Sequence, residues 1–261
     1  MAWIVAHPPL LFLVFLIGLM LVVEIGIRLR RVSEDLDESE QALVKSARDG
    51  LTVLLSFLLG FALPMTLPYY EARRDLMSQE ANAISTVDER AQLLPDPYGE
   101  RIRALLPQYV DARLEFAQEE DDQAKIRAAA TDAARLETAM WREVVSLVRE
   151  HPDQVNGPIV AQVSAGLNTV ADLRDMRRAA DERRIPGTIW LVLTTIAVLA
   201  AFVVGYSVRR RQLLSMIVLP LTVAIVLSLV AELENSRTGF IRIPQVAMQR
   251  LREELRAELG R

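Results

Sequence analysis

Residues 51–70 read LTVLLSFLLGFALPMTLPYY, and this stretch decides the fold. No charge interrupts it, and a helix rising about 1.5 Å per residue over this length crosses a hydrocarbon core about 30 Å thick. In lipid every backbone N–H and C=O must be satisfied within the segment, which leaves the helix as the form of a single span. Working outward, Leu10–Ile27 is a second run, broken only by Glu24 near its end, and Ile189–Val208 and Leu213–Ala231 are a third and fourth. The last two are joined by Arg209, Arg210, Arg211 and Gln212, a link too short for anything but antiparallel neighbours. The expected fold is all-α: an integral membrane protein with four transmembrane helices and a helical-bundle domain between spans two and three.

Composition agrees with segregated regions. Hydrophobic residues make up 51% of the 261 and charged residues 25%, more charge than a simple four-span protein carries. The expected divisions are 1–70 for the first transmembrane pair with a polar loop at 28–50, 71–185 for a four-helix bundle, 186–232 for the second transmembrane hairpin, and 233–261 for a tail. A net charge of −4 gives nucleic-acid binding no electrostatic support. Without cysteine there are no disulfides, thiolate metal sites or cysteine nucleophiles. His7 and His151 each precede a proline and read as turn or helix-end residues.

Met1–Pro9 has no Lys or Arg before the first apolar run, whereas Arg28, Arg30 and Arg31 follow it. That is the reverse of a cleaved signal and predicts a retained anchor. With four spans, the loops holding Arg28, Arg30, Arg31, Lys45, Arg48 and the arginine triplet share one side, which the positive-inside rule places in the cytoplasm. The bundle domain is then extracytoplasmic, although Arg73, Arg74, Arg183 and Arg184 flank its ends.

The middle region carries four helical stripes. Met77, Ile84, Val87, Ala91 and Leu94 continue the second span, and Pro95-Asp96-Pro97 makes a turn. Tyr98, Ile102, Leu105, Tyr109, Ala112 and Phe116 follow, with Pro107 expected to kink or restart that helix. The acidic run Glu119–Asp122 is a solvated boundary, lacking the spacing and glycine of a calcium loop. The third stripe runs from Ile126 to Leu147. The fourth starts at Asn156-Gly157-Pro158, an N-cap with proline in the first turn, and carries Val160, Val163, Leu167, Val170 and Leu173. Gly239–Pro244 reads as a short extended or turn segment, and Gln245–Leu259 as a last amphipathic helix.

Two groups of residues stand out. Glu80 lies on the apolar stripe of its helix, where a carboxylate needs a partner; Arg73, Arg90 and Arg113 are the candidates. The cluster reads either as an ion- or proton-binding site or, more simply, as a pair that fixes helix register. In the second span Ser56, Phe57, Gly60, Phe61 and Pro64 fall on one side. They read as a hydrophobic constriction lining a pore, or as helix packing with Gly60 as the point of close contact. Other ionisable residues stay near span ends: Glu24 lies one turn before Arg28, and Glu232 and Glu234 are expected to reach the interface. A proton-coupled transporter would carry charges at mid-span. No HExxH, phosphate-binding glycine loop or GxSxG is present, so no catalytic residue, metal ligand or cofactor is expected, and no enzyme.

Tyr70-Glu71-Ala72-Arg73-Arg74-Asp75-Leu76, then Glu80-Ala81-Asn82-Ala83-Ile84, Arg90 and Leu93-Leu94-Pro95 resemble the bacterial bestrophin-like membrane proteins. Tyr109–Leu114 and Gly239–Ile243 fit the same pattern, so Glu71, Arg74, Asn82, Tyr109 and Gly239 are carried as family-motif residues. The chain departs from it at Leu63-Pro64 and Leu67-Pro68, at Asp88 in place of an aromatic, and at Asn235-Ser236. The resemblance implies a multi-pass protein of the bacterial inner membrane, in contact with lipid. It also implies kinship to bestrophins, homo-oligomeric anion channels with the second span around the pore and the bulky domain in the cytoplasm. That orientation is opposite to the charge count. The leading expectation is a homo-oligomeric ion channel passing small anions; the alternative is a non-conducting sensor or scaffold that binds a partner through its helical domain.

Overall fold

The computed structural model describes residues 8–33, 36–119, 122–208, 213–235 and 241–259. His7, the Arg209–Gln212 link, Glu120 and Asp121 of the acidic run, Ser236 and Gly239 lie outside the described residues. The α-helices are α1 (Pro8–Val32), α2 (Glu38–Ala91), α3 (Tyr98–Gln118), α4 (Gln123–Glu150), α5 (Gly157–Glu182), α6 (Gly187–Tyr206), α7 (Leu213–Glu234) and α8 (Val246–Leu259). No strand occurs among the described residues, and four helical stretches are long and apolar enough to cross a membrane.

Local chemistry sets the helix ends. Asp37 and Glu40 form a reciprocal capping box: the Asp37 carboxylate accepts from the Glu40 amide at 2.7 Å, and Glu40 accepts from the Asp37 amide at 3.0 Å. This starts α2 well before the apolar run, where the sequence reading had a polar loop to residue 50. Asp122 caps α4 by accepting from the amides of Ala124 and Lys125. Pro107 neither restarts nor ends α3, which runs as one element from Tyr98 to Gln118 with the proline ring buried.

The chain divides into two compact units, Met1–Tyr70 with Arg184–Arg242, and Glu71–Arg183 with Ile243–Arg261. In the first, Leu19, Val23 and Ile27 of α1 pack with Leu55 and Leu59 of α2, Ala197, Ala200 and Ala201 of α6, and Val223, Leu227 and Val230 of α7. Backbones of α1 and α6 touch directly: a Cβ at Gly26 would stand 2.4 Å from the Phe202 oxygen, and one at Gly205 would stand 2.1 Å from the Val23 oxygen. Small residues at such crossings let membrane helices gain dispersion contacts that lipid cannot supply.

Glu232 and Glu234 correct the sequence reading. Both are buried rather than turned to the interface. Glu234 accepts from the Ile185 amide and the Trp190 indole, each at 3.0 Å, while Glu232 accepts from the Ile241 amide at 3.2 Å. Arg184 donates to the Glu234 carbonyl at 2.8 Å, placing a cation at the C-terminus of α7, where the helix dipole favours it. Protein donors replace the water these carboxylates would otherwise need.

In the second unit Ile84, Val87, Ile102, Leu106, Tyr109, Met140, Leu147 and Leu167 form the buried centre. Gly166 lets α5 approach α2 closely, a Cβ there meeting Val87 Cγ2 at 3.0 Å. The tail helix α8 is part of this core, through Met248, Leu251 and Leu255. It is also tied to α3 by ion pairs, Arg256 to Asp111 at 2.6 Å and Arg103 to Glu258 at 2.7 Å. Arg103 also pairs with the buried Asp88 at 3.0 Å, so that acid has a cation beside it.

Candidate functional site

Two regions carry the sequence-predicted residues, one in each unit. In the membrane unit, Leu55, Leu59 and Ala62 turn one side of α2 into the core. Ser56, Phe57, Gly60, Phe61 and Pro64 fall off that three-and-four spacing, on the other side of the helix, and all five are exposed within the chain. Phe57 is 60% exposed and Phe61 54%, with ring centroids 4.6 Å apart, so the two aromatics form one surface ridge. A Cβ added at Gly60 would find nothing within 4 Å, so this glycine is not a contact point inside the chain. Any helix packing on this row is therefore with a neighbour outside this chain. Ser56 also borders an open groove of about 680 Å³ shared with Thr52, Leu59, Val204 and Thr222.

In the bundle unit, Glu80 is 0% exposed and its carboxylate is fully engaged. Arg113 Nε donates to Oε1 at 2.7 Å and Nη2 to Oε2 at 3.2 Å, a two-pronged pair matching the planar guanidinium to the carboxylate. Arg177 Nη1 donates to Oε2, and the Tyr109 hydroxyl donates to Oε1 at 3.3 Å. Phe116 lies against the Arg113 guanidinium, 5.2 Å from its ring centroid. Burial pushes the Glu80 carboxyl up, but the charges of Arg113 and Arg177 outweigh it and hold the carboxyl below its ordinary value. Burial, followed by the Glu80 charge, pushes the Tyr109 hydroxyl up, so it stays a donor. Burial alone would lower Arg113, yet the Glu80 carboxylate raises it.

The structure thus joins Glu80 to Arg113 but not to the other two candidates. Arg90 donates to the Gln162 carbonyl at 2.9 Å, pinning α2 to α5. Arg73 is buried on the same helix as Glu80 and is not among its partners. Arg177 was missed, although it continues the stripe Val163, Leu167, Val170, Leu173 one turn further, the criterion that singled out Glu80. Among the family-motif residues, Tyr109 belongs to the cluster, while Glu71, Arg74 and Asn82 are exposed.

A four-span, all-helical membrane protein with a separate helical bundle is the class that this fold and these sites define. The Bestrophin-like domain model matches residues 8–248, and the chain belongs to that family. Among solved structures it is similar to a bacterial bestrophin homologue from Klebsiella pneumoniae, with 17% identity, a TM-score of 0.68, and coverage of 95% of this chain and 98% of that one. A variant of that homologue gives 17% identity and a TM-score of 0.69 over 95% and 99%. A further crystal structure, described as a membrane protein variant, gives 17% and 0.70 over 95% and 98%. At this identity the likeness establishes the fold. Comparison with curated protein sequences yields no match.

Proposed function

We propose that the chain forms a homo-oligomeric ion channel in which α2 of each copy faces a common axis. The observation that carries this reading is the row Ser56, Phe57, Gly60, Phe61 and Pro64, an aromatic ridge left open by its own chain while the opposite side of α2 is packed. Bulky apolar side chains converging on an axis form a constriction that gates by dewetting. Membership in the bestrophin-like family supports the same arrangement. By analogy with bestrophins the permeant ion is a small anion. The positive-inside count places the bundle domain outside the cytoplasm of a bacterial inner membrane.

Flux through the purified full chain in liposomes, chloride against potassium, tests the reading. Oligomers that conduct, with a flux that Phe57→Ala or Phe61→Ala alters, support it. A monomer in mild detergent, or silence from well-folded oligomers, overturns it in favour of a non-conducting sensor or scaffold. For orientation, a cysteine at the exposed Gln123 reports directly, since the chain has no thiol of its own. Labelling by an impermeant maleimide in intact cells is the expected result; protection places the domain in the cytoplasm.

A further inference from the structure

Arg48, Thr52, Leu55 and Leu59 recur along α2 at helical spacing and share one face, and Lys45 opens the same row one turn earlier. That face is one wall of the groove of about 680 Å³ that Ser56 borders. Val204 of α6 and Val218, Leu219 and Val223 of α7 form the rest, all within the membrane unit. We infer that this groove binds one anionic phospholipid, with its phosphate at the mouth against Arg48 and Lys45 and an acyl chain along the apolar wall. The inference rests on the membrane spans and not on the channel reading.

Donors in the groove are confined to one end. Arg48 and Asp49 stand just before the apolar run that begins at Leu51. Further in, Thr52 donates to the Arg48 carbonyl, Ser56 to the Thr52 carbonyl and Thr222 to the Val218 carbonyl, each at 2.8 Å. These hydroxyls spend their protons within their own helices and offer none to an occupant. At the mouth, Arg48 Nε and Nη2 donate to Asp49 Oδ1 at 2.9 and 2.8 Å, which leaves Nη1 and the exposed Lys45 ammonium for an anion. The Arg48–Asp49 pair is open to solvent, where such bridges are weak, so a phosphate can share the guanidinium.

Depth decides between a lipid and a neighbouring helix. From Arg48 to Leu59 the groove runs about 16 Å along α2, and from the start of α7 to Val223 about 15 Å. A hydrocarbon core is about 30 Å thick, so the groove reaches about halfway across. That is the reach of an acyl chain in one leaflet, whereas a helix of a second copy would need a groove along the whole span. Basic pockets between membrane helices recognise anionic headgroups, while lipid that merely coats the protein has no cause to prefer one headgroup.

Native mass spectrometry of the full-length protein, in detergent supplemented with phosphatidylglycerol or phosphatidylcholine, tests the inference. One phosphatidylglycerol retained per chain, in preference to phosphatidylcholine, is the expected result. Lys45→Gln/Arg48→Gln should weaken phosphatidylglycerol retention several-fold and remove the preference. Thr222→Phe, which places a ring on the exposed groove wall, should weaken retention of both lipids. Equal retention of the two lipids by the natural protein overturns the inference and needs no variant to fold. So does a preference that survives in the double variant. If Thr222→Phe breaks up an assembly and leaves lipid retention intact, the groove belongs to a second copy and the inference is overturned as well. None of these outcomes reads flux, so the channel reading stands or falls separately.

Discussion

Two parts of the same helix treat their side chains in opposite ways. Between Leu51 and Tyr70, α2 leaves Phe57 and Phe61 in the open. Between Glu71 and Ala91 it encloses a carboxylate, Glu80, behind two arginines and a tyrosine. The difference follows from the solvent. Lipid removes the driving force for hiding an aromatic, while in the membrane unit backbones come closest at small-residue crossings such as Gly26 and Gly205. In the bundle unit burial of apolar surface drives association, and a charge caught inside must bring its partners.

Removing the carboxylate should have the largest effect. Glu80→Ala leaves Arg113 and Arg177 facing each other without compensation, and breaking a buried pair in this way costs about 3–5 kcal/mol. Thermal unfolding of the purified protein is the measurement; a loss below about 1 kcal/mol would mean the cluster does not hold the bundle. The same group sets an acid limit. Its carboxyl is held below the ordinary 4.5, so its contribution is fully present above that value and is lost as pH falls through the depressed folded value. Stability measured downward from pH 4.5 should fall more steeply in the natural protein than in Glu80→Gln.

Next comes the membrane crossing. Gly205→Ala places a methyl 2.1 Å from the Val23 carbonyl, so α1 and α6 must separate. Overpacking of this kind costs about 1–3 kcal/mol, read as a lower melting temperature in detergent. Tyr109→Phe removes one hydroxyl from Glu80 while both arginines stay, and should cost about 1 kcal/mol. Smallest is Gly60→Ala, where the new methyl meets nothing in its own chain. Its expected effect on the unfolding of the isolated subunit is within about 0.5 kcal/mol. A drop as large as that of Gly205→Ala would erase the contrast between open and packed faces.

Much of this was legible from the order of residues. The four apolar runs, the bundle stripes and the turn at Pro95–Pro97 each reflect a property of neighbours in the chain. Arg177 was equally legible, since it continues an apolar stripe as Glu80 does, and a search for charges on both sides of the bundle would have paired them. The capping box at Asp37 and Glu40 was a local signal too, and it explains why α2 begins before its apolar run. Other features were not local. Glu232 and Glu234 sit at the end of a span, where the interface is the expected destination, and only the fold supplies the amides and indole that hold them inside. The docking of α8 likewise depends on Asp111 and Arg103, more than a hundred residues earlier.

By itself the sequence determined an all-helical chain with four membrane-length runs and a charged segment carrying four apolar stripes. Periodicity and length are set by transfer free energies that act residue by residue, whatever the rest of the chain does. The tertiary structure alone decided which arginines meet Glu80, that α8 joins the bundle, and that the aromatic row of α2 remains uncovered. Those outcomes depend on which helices meet and in what register, and a side chain's partner in three dimensions is not encoded by its own neighbours.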